Sequence, residues 1–292
     1  MRDVLLKCSM IAGAGAAVLA LSLSAGAQVT SYQLDQWLHS PAATSHIGNI
    51  TGNAAAAKTN YRRYCVGCHG DLGDGNGENA QWLDPKPRDF QLAEFKCRST
   101  PSGTLPTDED LYDTIARGLD RSNMPPWNTL TKDERANLVA WIKHFSPRWQ
   151  NEKAGTPIQI PPEPEVTADR IKAGRDVFAR VQCWKCHGVQ GMANGPSAPT
   201  LTDDQNRPIA AYNFTEGARP KCGDTDRDIY RIFMTGLDGT PMPSFADNLK
   251  PEEAWDLVFY LRTFMPQHSK EKELAKQIKL EPVNPNAPAG QQ

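Results

Sequence analysis

Apolar positions recur at helical spacing in two well-separated stretches, residues 131–145 and 250–264. Leu138, Val139, Trp141 and Ile142 fall on one face of the first, and Leu257, Val258, Tyr260 and Leu261 on one face of the second. Thr131 followed by Glu134 predicts a capping box, while Pro251 with Glu252 and Glu253 suits a first helical turn. Further helices are predicted over 54–64 and 169–181, and over 109–118 and 226–236, the last pair stopped by Gly118 and Gly236. Near the start, Arg2 and Lys7 precede an apolar run from Met10 to Leu23, and Ala25-Gly26-Ala27 follows it. That is the layout of a secretory signal peptide over residues 1–27. The run is shorter than the ~20 residues a membrane-spanning helix needs, so cleavage and no lasting transmembrane anchor are expected. Cys8 would leave with the signal.

The chain repeats itself. Cys65-Val66-Gly67-Cys68-His69 returns as Cys183-Trp184-Lys185-Cys186-His187, 118 residues later. At the same offset, Asp110-Leu111-Tyr112 and Gly118-Leu119-Asp120 return as Asp228-Ile229-Tyr230 and Gly236-Leu237-Asp238. Each copy then carries a methionine beside proline, Met124-Pro125 and Met242-Pro243. Two homologous modules are expected, at 50–146 and 168–266. Between them, residues 147–167 hold Pro157, Pro161, Pro162 and Pro164, which exclude a regular helix and favour an extended linker. The extension at 28–49 and the tail at 267–292 lack sustained periodicity and are expected to be loose.

A CxxC pair alone could be half a zinc site or a redox dithiol. The histidine directly behind it changes the reading, because two thiols one turn apart and an adjacent imidazole are what covalent haem attachment requires. Cys65, Cys68, Cys183 and Cys186 are therefore expected to tether two haem c groups, with His69 and His187 as axial iron ligands. The sixth ligand has a matched candidate in each module: Met124 lies 55 residues after His69, and Met242 lies 55 after His187. A thioether is a soft ligand that raises the reduction potential and closes the iron to substrates. The alternative for each methionine is core filling beside Trp127 or Phe245. Met234 reads as packing, and Met192 follows its motif too closely to return to the iron. His39, His46, His144 and His268 read as surface residues, with His39 or His46 a spare ligand if Met124 were displaced. The glycine-rich segment 70–78 fails the EF-hand pattern and reads instead as a loop wrapping the haem edge.

Composition narrows the field. A chain of 292 residues with 39% apolar content suits two modest domains, and a formal charge of −2 argues for neither nucleic acid nor an anionic membrane as partner.

With both CxxCH motifs, both methionines and both closing aromatic helices in place, the chain resembles the diheme class I c-type cytochromes, in a tandem arrangement of the cytochrome c4 type. The resemblance implies an all-α fold in each module, with the haem in an apolar crevice and one edge exposed. It also implies paired terminal helices, with Gly174 and Phe178 against Tyr260, and Ala57 and Tyr61 against Trp141. The chain departs from the simplest family pattern in its linker and in one further cysteine per module, Cys97 and Cys222. Three readings stay open for that pair: a disulfide between modules, two buried thiols, or iron ligation as in thiosulfate dehydrogenase cytochromes.

The expectation is an exported, periplasmic electron-transfer protein of a respiratory chain, with protein redox partners as donor and acceptor and no catalytic residues of its own. Two alternatives stand beside it: a diheme enzyme of the thiosulfate dehydrogenase or peroxidase kind, and a haem subunit of a larger respiratory oxidoreductase complex.

Overall fold

The computed structural model describes residues 43–286. The predicted signal peptide, Cys8 and His39 lie outside the described residues.

Two hydrophobic cores are built on the same plan. In the first, helix α1 (Ala54–Tyr64) packs against helix α4 (Lys132–His144), with α3 (Asp108–Arg117) alongside. In the second, α6 (Ala168–Arg180) packs against α9 (Pro251–Arg262), with α8 (Asp226–Thr235) alongside. Aromatic pairs mark both crossings: the rings of Tyr61 and Trp141 lie 5.8 Å apart, and those of Phe178 and Tyr260 lie 5.4 Å apart. The backbones at the second crossing nearly touch, and a Cβ on Gly174 would collide with the carbonyl of Asp256. Only glycine allows that approach.

Caps explain where the helices begin. Thr131 accepts from the Glu134 amide at 3.2 Å while the Glu134 carboxylate accepts from the Thr131 amide at 2.8 Å. Thr107 with Asp110 and Thr225 with Asp228 form the same reciprocal pair before α3 and α8. Each pair satisfies amide groups that the first helical turn leaves without partners.

The described parts of two segments expected to be loose, 43–49 and 267–286, carry regular structure. Strands β1 (Thr44–Ile47) and β2 (Ile50–Asn53) form an antiparallel hairpin, with Thr44 opposite Asn53 and Ile47 opposite Ile50. The Ser45 hydroxyl donates to the Ala136 carbonyl at 2.7 Å, and the His46 amide to the Asp108 carboxylate at 2.7 Å. The hairpin is held by hydrogen bonds to the helices, which hydrophobic periodicity does not register. Among the described residues the fold is therefore helical with one small two-stranded sheet, not all-α throughout. At the other end, helix α10 (Ser269–Gln277) lies against α6, and Leu274, Ala275, Leu280 and buried Val283 extend the second core. Its sparse apolar positions are too few to read as periodic in the sequence.

Residues 147–167 form one helical turn, α5 (Arg148–Asn151), and then run without regular structure. Trp149 packs on the first core, Ile160 and Val166 on the second. The Gly155 amide donates to Leu105 at 3.0 Å, and the Ile158 amide to Ser99 at 2.8 Å.

Candidate cofactor sites

In each module the first helix runs directly into a one-turn helix that carries the motif: α2 (Val66–His69) after Cys65, and α7 (Trp184–His187) after Cys183. Amides fold back onto the first cysteine, from His69 to Cys65 at 2.9 Å and from His187 to Cys183 at 3.0 Å. The two thiols and the imidazole of each motif thereby line one cavity. Cys65, Cys68 and His69 line a cavity of about 150 Å³, and Cys183, Cys186 and His187 a larger one of about 710 Å³. None of the four cysteines is in a disulfide. Burial pushes the Cys65 and Cys183 thiols up to about 12. Among the described residues no group of three or more His, Cys, Asp or Glu side chains is placed to hold a metal ion. The two motifs also face separate cavities, so they do not combine into one four-cysteine site.

The histidines are fixed in the same way. Nδ1 of His69 lies 3.1 Å from the Arg88 carbonyl, and Nδ1 of His187 lies 2.9 Å from the Tyr212 carbonyl. A carbonyl can only accept, so Nδ1 carries the proton and Nε2 is left as the basic nitrogen. Burial lowers the pKa of both rings and keeps them neutral, the form that binds metal. Phe90 stacks on His69 at 4.4 Å and Phe214 lies 5.0 Å from His187.

Met124 lines the same cavity as His69, and Met242 the same cavity as His187. Their loops match bond for bond. The Leu119 amide donates to Met124 at 3.0 Å and the Leu237 amide to Met242 at 3.1 Å, while Ser122 and Thr240 each accept from the methionine amide at 3.2 Å. Gly118 and Gly236 start these loops with φ of +70° and +69°, and a Cβ there would meet Pro126 N at 2.6 Å or Ser244 N at 2.7 Å. The glycines that end the helices also admit the methionine loops.

Some expected roles hold and others change. None of residues 70–78 lines either cavity; Gly73 instead abuts Phe145, and its carbonyl accepts from the Phe90 amide at 2.7 Å, so the loop supports the site from behind. His144 is buried beside Trp141, not on the surface. His46 is exposed on the hairpin and lines neither cavity. Met234 packs against the second core and Met192 is exposed. Cys97 and Cys222 form a disulfide with a Cα–Cα distance of 5.1 Å, which removes both the free-thiol and the iron-ligand readings.

One feature was not anticipated. Pro85, Lys86, Pro87, Arg88, Lys96 and Lys221 line both cavities, so the two sites share a wall rich in positive charge. Burial, Arg88 and Lys221 lower the Lys96 ammonium to about 8, and burial lowers Lys221 as well. The matched lysine before each extra cysteine was the available sequence signal.

The donor set fits a covalently attached porphyrin: two thiols one turn apart, a neutral oriented imidazole, a thioether on the same largely apolar cavity, and a cationic wall for carboxylates. The larger cavity also lies within the ~300–1,000 Å³ of typical cofactor pockets; in the narrower one the fit rests on the donor set.

Comparison with known proteins places both halves in cytochrome families. Residues 171–264 match the family described as Cytochrome c, and residues 52–142 the family described as Cytochrome C oxidase, cbb3-type, subunit III. A chain of the Kuenenia stuttgartiensis reducing HAO-like protein complex is similar over 72% of this chain and 95% of its own, with 42% identity and a TM-score of 0.70. No curated protein matches. The chain belongs to the diheme class I c-type cytochromes. It carries two covalently bound haem c groups.

Proposed function

We propose that this protein is an exported electron carrier whose two haems are held by His69 with Met124 and by His187 with Met242, and that it works as a subunit of, or close partner to, a larger redox complex. The matched pair of cavities, each lined by two thiols, an oriented imidazole and a thioether, carries this reading. Cys65 with Cys68 and Cys183 with Cys186 anchor the porphyrins. His69 and His187, oriented by the Arg88 and Tyr212 carbonyls, present Nε2 as the fifth ligand.

Bound haem supplies reversible one-electron chemistry at its iron. The chain tunes that chemistry in three ways. Met124 and Met242 supply soft donors that favour the reduced state and deny the position to small molecules. Phe90, Phe95, Trp127 and Ile142 in the first cavity, and Phe214, Phe233, Phe245 and Leu257 in the second, exclude water. Lys96 and Lys221 place positive charge in the shared wall, where it favours an added electron on either side.

Export is supported by the amino-terminal pattern and by the Cys97–Cys222 disulfide, a bond favoured in oxidising compartments. Among the described residues no helix is long and apolar enough to cross a membrane. The likeness to a chain of a protein complex favours the subunit role over a free carrier. Intact-mass measurement tests the attachment: the protein gains the mass of two haems, and replacing Cys65 with Cys68, or Cys183 with Cys186, by alanine removes one. Purification of a tagged chain from its native cells under mild conditions tests the assembly, which predicts a co-purifying redox enzyme. Isolation as a lone monomer contradicts the subunit role.

A further inference from the structure

The two methionine loops, alike within their modules, are held differently from outside. Asp238 follows Leu237, whose amide bonds the Met242 carbonyl at 3.1 Å. Its carboxylate is gripped by the other module. The Arg98 guanidinium donates to it at 2.7 Å and to the Thr235 carbonyl at 2.6 Å, the Ser102 hydroxyl donates at 2.8 Å, and the Gly103 amide at 3.0 Å. The Arg98 side chain is fully buried and Asp238 is 13% exposed. Arg98 directly follows Cys97, so the disulfide fixes its backbone against the second module.

Among the described residues the equivalent loop of the first module has no such clamp. Asp120, which matches Asp238, lies 3.7 Å from an Arg219 that is 63% exposed. The adjacent Arg121–Glu216 pair, at 2.8 Å, is likewise open to solvent at 34% and 50%. The position after Cys222 is Gly223, which has no side chain to offer. Exposed pairs constrain little, whereas a buried, fully hydrogen-bonded pair holds its geometry.

We propose that Arg98 of the first module is a positioning residue for the second haem site, acting through Asp238 to hold the Met242 loop closed, so that Met124 is the ligand that dissociates first. The inference rests on Met124 and Met242 being the sixth ligands. It makes the first module the one whose iron position opens under stress, and it makes contact between modules a condition for firm ligation in the second.

The test is a guanidinium titration of the ferric holoprotein, following the methionine-to-iron charge-transfer absorbance. Two steps of equal amplitude are expected, the later one assigned to Met242 because it alone survives in Met124→Ala. Arg98→Gln moves the later step down to meet the earlier one and leaves the earlier one in place; Arg98→Lys recovers part of the shift. If Arg98→Gln does not fold, Ser102→Ala, which removes one exposed donor to Asp238, gives a smaller shift of the same step. Coincident steps in the unaltered protein, or variants that move both steps together or neither, overturn the proposal. A protein with no methionine absorbance at all overturns the ligand assignment beneath it.

Discussion

Lys96 and Lys221 stand at the two ends of the Cys97–Cys222 bridge, and each lines both cofactor cavities. Their charge is therefore available to both sites at once. Replacing Lys96 by methionine is expected to lower both reduction potentials, which a spectroelectrochemical titration reads directly; a shift at one centre alone contradicts the shared wall.

The same lysine gives a pH dependence. Burial, the first cause, holds the folded ammonium near 8, below its ordinary 10.5. Between these values the unfolded chain binds more protons than the folded one, so this group makes stability rise with pH from about 8 to 10.5. The cost of burying the charge is present below pH 8 and relieved above it. Both potentials are expected to fall as pH rises through this region, because a positive charge leaves the wall. Lys96→Met should flatten that part of both potential–pH curves.

The disulfide closes a loop with a sequence separation of 125 residues across the two modules. Replacing both cysteines by serine is expected to cost about 3–4 kcal/mol, chiefly through the freedom returned to the unfolded chain. Because each module has its own core, chemical denaturation followed by haem absorbance should then separate into two transitions. A single unchanged transition contradicts a linking role.

Gly174 lies where α6 meets α9, and a Cβ there has no room beside the Asp256 carbonyl. Gly174→Val should destabilise the second module on the order of 3 kcal/mol by forcing the helices apart. Thermal unfolding should show that module melting early while the first holds.

Much of this molecule was readable from residue types and spacing. The CxxCH motifs, the equal intervals to Met124 and Met242, and the Thr131 capping box all depend on short-range patterns that the chain cannot hide. The Tyr61–Trp141 and Phe178–Tyr260 pairs followed from family resemblance. What escaped depends on contacts distant in sequence. The 44–53 hairpin is held by Ala136, Asn137 and Asp108, which no local period marks. Arg98 reaches Asp238 across 140 residues, a contact that no local pattern marks. In the loop 70–78 the glycine pattern signals close approach without saying to what; Gly73 meets Phe145.

The central proposal is that both irons are closed by methionine, the ligand set of an electron carrier. The most direct measurement is a spectroelectrochemical titration of the purified holoprotein, following the haem bands and the ferric methionine absorbance together. The account predicts two low-spin, high-potential centres that both lose the methionine band on reduction, with Met124→Ala and Met242→Ala each removing half of it. A centre that is high-spin or strongly lowered in potential in the unaltered protein contradicts the account and makes that module a catalytic site.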